Sequence, residues 1–225
     1  MIRLPEQLDL SVEEYQTGLK TANEFHGHLC GGMFTGVKMA LCARRILGYP
    51  SFPSKDLLVI AEIDRCLTDA VMAITGCRFG RRTLKFRDYG KFAAEFHSLE
   101  QNQGVRISQK DGAYRAIETR MESEGIDRHD YARAGMVYFH FPIPDQFQFQ
   151  IVQEKWDEND LPGFPKIKVN CAQCGETVMD NRHVEKDGKL LCRPCSITPS
   201  GPVFTGGLTN HPGRLGGENG GKVEG

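Results

Sequence analysis

Four cysteines toward the C-terminal end of the chain have the spacing of a metal site. Cys171 and Cys174 form one Cys-x2-Cys pair, and Cys192 and Cys195 form a second pair after 17 intervening residues. Two such pairs supply four thiolates from two tight turns, and zinc prefers four soft ligands in a tetrahedron. The spacing therefore predicts a closed structural zinc site that leaves no open position for catalysis.

A second group of reactive side chains lies near the N-terminus. His26, His28 and Cys30 occur within five residues and are followed by Gly31 and Gly32, where a helix is expected to begin. The positive end of a helix dipole favours a thiolate at that place. Clustering of metal ligands or proton carriers in this way indicates a functional site.

Two further residues are expected at the same site. Cys66 and Asp69 fall in the first turn of another predicted helix, directly after a buried strand. We predict that His28, Cys30, Cys66 and Asp69 converge in one cleft as catalytic residues. His28, Cys30 and Cys66 are also candidate ligands for a second metal, whereas Asp69 has the alternative of a simple partner for the helix dipole.

The remaining two cysteines differ from these. Cys42 lies in the middle of an apolar helix and is expected in the core. Cys77 lies eleven residues after Cys66, about 16 Å away if a helix separates them. It is then too far to share a metal with Cys66, so it serves another edge of the site, another subunit or packing.

Hydrophobic periodicity, capping residues and turn residues predict the elements that position these groups. Ser11 and Glu14 have capping-box spacing for a first helix over 12–24, and Gly48 ends a second helix. Further helices are predicted over 67–75 and 111–124, and strands over 57–63, 83–86, 92–97, 136–141 and 147–152.

The order of these elements predicts an α+β fold, because helices and strands are interspersed without a clean βαβ repeat. We expect a core domain over residues 1–160, a linker over 161–167 and a zinc-finger module over 168–197. Residues 198–225 are rich in Gly and Pro and are expected to form a flexible tail.

Composition narrows the function classes. The formal net charge of the 225 residues is −1, which argues against a general nucleic-acid-binding protein. No signal peptide or long apolar run is recognised, so we expect a cytoplasmic protein without a membrane partner. In a reducing compartment, eight cysteines indicate metal ligands or reactive thiols instead of disulfides.

With these motifs in place, the chain resembles the FmdE family, the E subunits of formylmethanofuran dehydrogenases. The matching pieces are FHGHLCGG at 25–32, CLTDAVMAITGCRFGRRTL at 66–84, RDYGK at 87–91, and the C-terminal CAQCGE and LCRPC. The resemblance implies an α+β core that is often dimeric and carries a treble-clef finger. It also implies an association with molybdenum or tungsten formylmethanofuran dehydrogenases and with one-carbon metabolism.

Two departures from the family pattern affect what is carried over. Gly31 follows Cys30 where the family usually has proline, which leaves the identity of the substrate or partner open. A treble clef needs a helix after its second cysteine pair, but residues 196–201 cannot continue one far, so a zinc ribbon remains an alternative.

Two functions follow from the sequence. In the first, the chain is a metal-binding accessory or regulatory protein of a formylmethanofuran dehydrogenase-like complex. In the alternative, the core is a thiol- or metal-dependent enzyme or redox unit. The first is preferred because no complete cofactor fingerprint occurs. A homodimer is predicted from the resemblance and from the stripe Gly32, Gly36 and Ala40.

Overall fold

The computed structural model describes residues 2–4 and 8–197. The chain divides into two compact units, Met1–Gly163 and Phe164–Gly225. The tail predicted over 198–225 lies outside the described residues. Within the described ranges, no helix is long and apolar enough to cross a membrane.

The described part of the first unit contains six helices and one five-stranded sheet. The helices are α1 (Val12–His26), α2 (Gly31–Leu47), α3 (Cys66–Thr75), α4 (Ala113–Ser123), α5 (Tyr131–His140) and α6 (Ile143–Gln146). The strands are β1 (Leu57–Ala61), β2 (Leu84–Phe86), β3 (Ala93–Ser98), β4 (Gln103–Gln109) and β5 (Phe147–Val152). The order in the sheet is β2-β1-β3-β4-β5. β1 and β2 are parallel and the other neighbouring strands are antiparallel, so the predicted α+β class is confirmed.

Capping determines where the first three helices begin and end. Ser11 accepts the N–H of Glu14 at 3.4 Å, which confirms the predicted start of α1. The three helices end at Gly27, Gly48 and Gly76, all in the left-handed conformation that glycine adopts without a Cβ penalty. These stops place His26 at the end of α1, four residues before Cys30.

Two apolar clusters hold the first unit together. The first joins α2 and α3 to one face of the sheet, where Val59, Phe96 and Val105 occupy paired positions on three neighbouring strands. The second joins α1, α2, α4 and α5 around Tyr15 and Phe34. Because α2 belongs to both clusters, it is the element around which the site residues are arranged.

Helices α2 and α3 approach closely at Gly36. A Cβ atom placed on Gly36 would lie 2.6 Å from the Cβ of Ala70 and 2.8 Å from the carbonyl oxygen of Leu67. The stripe of small residues on α2 therefore packs against α3 of the same chain. It no longer supports a dimer, and that prediction now depends on the family resemblance alone.

Two parts of the predicted secondary structure are wrong. Residues 136–141, predicted as a strand, form the second half of α5 and the turn after it. Asp130 caps α5 by accepting the N–H of Arg133, and Ala134, Val137 and Tyr138 bury one helical face. The strand β4 was not predicted, because Gly104 and Arg106 interrupt its apolar pattern.

The second unit, as far as residue 197, consists of two short hairpins and a helix. Its elements are β6 (Lys168–Asn170), β7 (Thr177–Met179), β8 (Val184–Lys186), β9 (Lys189–Leu191) and α7 (Arg193–Ile197). β6 pairs with β7 around the first cysteine pair, and β8 pairs with β9 before the second. The order of knuckle, hairpin and helix favours the treble-clef alternative over a ribbon.

Candidate functional site

The four cysteines of the second unit meet at one point. Their sulfur atoms all lie within 4.8 Å of one another, and those of Cys174 and Cys192 are 3.9 Å apart. A zinc ion with bonds of about 2.3 Å to four tetrahedral sulfurs requires about 3.8 Å between them. The cysteines therefore fit the predicted zinc site.

Local backbone geometry prepares these thiols for a metal. Gly175 has a φ of 76°, and its N–H donates to the carbonyl of Cys171 at 2.9 Å, so the chain turns tightly beneath the first pair. Backbone N–H groups, first that of Cys174, lower the pKa of Cys171 to about 6, which favours the thiolate. Four thiolates complete the coordination shell, as expected of a structural site.

The core cluster is built where α1 ends and α2 begins. One ligand atom from each of His26, His28 and Cys30 lies within 4.8 Å of the others. Gly27, with a φ of 94°, turns the chain between the two histidines, and their ring centroids are 4.5 Å apart. The three side chains could therefore hold one metal ion together.

Asp69 on α3 contacts this cluster through His26. Its Oδ2 atom is 2.7 Å from Nδ1 of His26, and the side chain of His26 is 15% exposed. The Nε2 atom of His26 is buried and has no hydrogen-bond partner among the described residues. A carboxylate on one ring nitrogen and a free lone pair on the other are what metal-binding histidines show.

Cys66 lies beside Cys30 but outside the three-residue cluster. A Cβ atom placed on Gly32 would lie 3.0 Å from the Cβ of Cys66 and 3.7 Å from the sulfur of Cys30. The two thiols are thus well within the roughly 10 Å that would rule out a shared metal. Burial, and then the hydrogen bond with Cys30, raises the pKa of the Cys66 thiol.

The structure therefore brings the four residues predicted as catalytic, His28, Cys30, Cys66 and Asp69, into one neighbourhood and adds His26 to it. Sequence reasoning noticed His26 but did not select it. Its pairing with Asp69 spans 43 residues, so only the packing of α1 against α3 reveals it.

A cavity of about 640 Å³ opens beside His28 and Cys30. Its other walls come mainly from α4, α5 and the loop between them, and include Phe34, Tyr114, Glu118, Arg128, Tyr131 and Tyr138. None of these was selected from sequence, and Tyr138 fell within the wrongly predicted strand. Burial raises the pKa of the Tyr138 hydroxyl, which stays protonated at neutral pH.

The two remaining cysteines are packing residues. Cys42 is fully buried on α2, as expected, and burial raises its pKa to about 12. Cys77 is 3% exposed, and its sulfur is 3.7 Å from the carbonyl oxygen of Leu57. Of the three roles left open for Cys77, the structure selects packing.

Comparison with known families identifies both units. Residues 25–138, half of the chain, match the family described as FmdE, Molybdenum formylmethanofuran dehydrogenase operon. The chain belongs to the FmdE family. Residues 164–196 of this FmdE chain match the prokaryotic dksA/traR C4-type zinc finger. The chain is therefore a metal-binding protein with a zinc site in its finger.

A curated protein is similar to this FmdE chain. A probable S-adenosyl-L-methionine-binding protein of Archaeoglobus fulgidus is 30% identical over 198 residues, which are 79% of this chain. The match covers 52% of that relative, so the chain spans about half of its length.

A solved structure supports the fold. It is the crystal structure of an FmdE-like protein, named for tungsten formylmethanofuran dehydrogenase, from Syntrophus aciditrophicus. The TM-score is 0.56 at 22% identity, and the match covers 84% of this chain and 97% of the other.

Proposed function

We propose that the core of this FmdE protein binds one transition-metal ion through His26, His28 and Cys30. The observation that carries the proposal is the convergence of these three ligand atoms within 4.8 Å beside an open cavity. Two imidazoles and a thiolate suit zinc and related ions. Three protein ligands with a fourth position open are typical of catalytic zinc sites.

The surrounding residues have distinct roles in this proposal. Asp69 holds the ring of His26 so that Nε2 faces the ion. Cys66 is a neighbouring thiol that can become a fourth ligand or act as a nucleophile. A bound ion would supply Lewis-acid chemistry to a molecule in the cavity. The core is then a metal-dependent unit, the alternative that the sequence left open.

Metal analysis of the full chain tests this proposal. We expect two metal equivalents per chain after supplementation with zinc. Cys30→Ser should lose one equivalent and Cys174→Ser the other, whereas the buried-thiol control Cys42→Ala should keep both. A wild-type protein that holds a single equivalent, unaffected by Cys30→Ser, would rule out the core site.

We infer further that the protein serves formylmethanofuran-linked one-carbon metabolism as an accessory or regulatory partner of a molybdenum or tungsten dehydrogenase. The family description and the name of the structural neighbour support this inference. Affinity purification of the chain from cells that contain such a dehydrogenase should recover the enzyme. Absence of the enzyme from the eluate would count against a stable complex.

The homodimer remains a prediction of the resemblance. Light scattering at micromolar concentration should give twice the chain mass of 25.2 kDa. A monomeric mass for the folded protein would exclude it.

A second candidate function is binding of S-adenosyl-L-methionine, the activity named for the relative from Archaeoglobus fulgidus. Phe34, Tyr114, Tyr131 and Tyr138 line the cavity, and aromatic faces attract a sulfonium cation. Equilibrium dialysis should show tighter binding of this cation than of neutral-sulfur S-adenosylhomocysteine. Tyr114→Leu should weaken binding about tenfold, and the exposed control Tyr89→Leu should not. Equal affinity for both ligands would contradict this candidate.

A further inference from the structure

The first turn of α2 presents backbone donors that have no acceptor. The first intrahelical hydrogen bond runs from the N–H of Phe34 to the carbonyl of Cys30 at 3.0 Å. The side chain of Cys30 makes no capping hydrogen bond. The N–H groups of Gly31, Gly32 and Met33 therefore lack a partner among the described residues. Such donors, together with the helix dipole, attract negative charge.

A buried hydroxyl points at the same place. Tyr138 on α5 is 3% exposed, yet it lines the cavity and its hydroxyl has no hydrogen-bond partner among the residues described. The hydroxyl oxygen would lie 2.5 Å from a Cβ atom placed on Gly31. Leaving a buried hydroxyl without a partner costs about 1–3 kcal/mol, so its position needs an explanation.

We propose that the Tyr138 hydroxyl and the free N–H groups at the start of α2 form a subsite that binds the carboxylate of a small-molecule ligand beside Cys30. The proposal rests on the proposed function only in placing that ligand in the core cavity. It also accounts for Gly31, because any side chain there would displace the hydroxyl and cover the donors.

Charge in the cavity limits the strength of this subsite. Glu118, Glu122 and Asp127 line the same cavity and are opposed by Arg128. Their repulsion of an anion is long-ranged and is screened at an ionic strength of about 0.15 M. The donors act at contact distance and are partly buried, so salt weakens them much less. Short-range donation therefore decides the preference for a carboxylate at physiological salt.

The subsite can be tested with two alkylating agents that differ in charge. Iodoacetate carries a carboxylate, whereas iodoacetamide is neutral. In both reactions the sulfur of Cys30 bonds to the CH2 carbon, iodide leaves with the electron pair of the broken C–I bond, and the thiol proton passes to buffer. The full chain is used with one zinc per chain and no core metal, as established by metal analysis. Mass spectrometry of the Cys30 peptide measures each rate.

The subsite predicts saturable alkylation by iodoacetate. The iodoacetate-to-iodoacetamide rate ratio at Cys30 should exceed that of N-acetylcysteine by about tenfold, the effect of one hydrogen bond to a charged group. Tyr138→Phe should remove most of this advantage. The matched control Tyr15→Phe, which deletes another buried hydroxyl on the second apolar cluster, should keep it.

Two results would overturn the subsite: a wild-type ratio equal to that of N-acetylcysteine, or an unchanged ratio in Tyr138→Phe. Because the alkylation uses protein without core metal, it is independent of the metal measurements. A chain that never binds a core metal but shows the iodoacetate preference would reject the proposed metal function and retain the subsite.

Discussion

The two cysteine-containing sites of this protein are built in opposite ways. In the finger, four identical ligands come from two local turns, and Leu191 and Val178 are the apolar residues that join them in a small cluster. In the core, ligands of two kinds come from the junction of α1 and α2, with Asp69 added from α3, and two large apolar clusters surround them. One site is closed, whereas the other borders a cavity.

This difference separates the metal that folds a unit from a metal that a folded unit holds. The finger buries too little apolar surface to be stable alone, so the free energy of zinc binding is its folding free energy. The core is stabilised by packing and does not depend on a metal. Loss of metal should therefore unfold the finger and leave the core intact.

The largest effect is expected from Cys174→Ser. Structural zinc contributes on the order of 10 kcal/mol to small finger modules, so three ligands should leave the unit unfolded and free of zinc. Limited proteolysis should then cleave the second unit within residues 164–197 while 8–163 stay protected. The control Gln173→Ala, an exposed position in the same turn, should behave like wild type. A protease-resistant Cys174→Ser finger with full zinc content would contradict the comparison.

The next effect concerns the packing that positions the core ligands. Gly36→Val would push a side chain into Ala70 and the backbone of Leu67. We expect a loss of about 3 kcal/mol in the free energy of unfolding of the core, measured by urea denaturation. Gly80→Val is the matched control, because a Cβ atom there meets nothing within 4 Å. Equal stability of the two variants would show that α2 and α3 can separate freely.

Lys38 gives the core a pH dependence. The side chain is fully buried, and Nζ donates to the carbonyls of Tyr138 at 2.8 Å and Phe141 at 2.5 Å and to Oε1 of Gln146 at 2.8 Å. Burial lowers the pKa of Lys38 from 10.5 to about 8. Between these values the unfolded chain binds more protons, so the free energy of unfolding rises with pH through this residue, by up to about 3 kcal/mol.

The Lys38→Met variant isolates this contribution. Between pH 8 and 10.5, the difference in unfolding free energy between wild type and variant should shift in favour of wild type as pH rises. Urea denaturation at several pH values measures that difference. A difference that is constant with pH would mean that Lys38 keeps an ordinary pKa in the fold.

The smallest effect tests the contact between Asp69 and the core cluster. Asp69→Asn should weaken binding of the proposed core metal about 10- to 100-fold, because the amide orients His26 less strongly. The zinc of the finger should be unaffected. Competition with a chelating dye measures both sites, and Asp88→Asn in an exposed turn is the control. An unchanged core affinity would limit Asp69 to a partner of the helix dipole.

Parts of the fold that depend on local chemistry were predictable. Ser11, Gly48 and Gly76 mark helix ends through their own hydrogen bonding or backbone freedom, and each prediction was confirmed. The elements around the cavity were not. The segment 136–141 is mostly apolar, and such a short run is equally compatible with a strand or a buried helix. Strand β4 is recognisable only from its neighbours β3 and β5.

The sequence by itself determined the zinc finger, because all four ligands and the turns that hold them lie within 25 residues. It also determined that histidines and cysteines accompany the starts of α2 and α3. Only the tertiary structure decided that His26 pairs with Asp69 and that Tyr138 faces the first turn of α2. Those contacts join residues 43 and more than 100 positions apart. No local pattern encodes such distances, since they result from the packing of α1, α3 and α5 around α2.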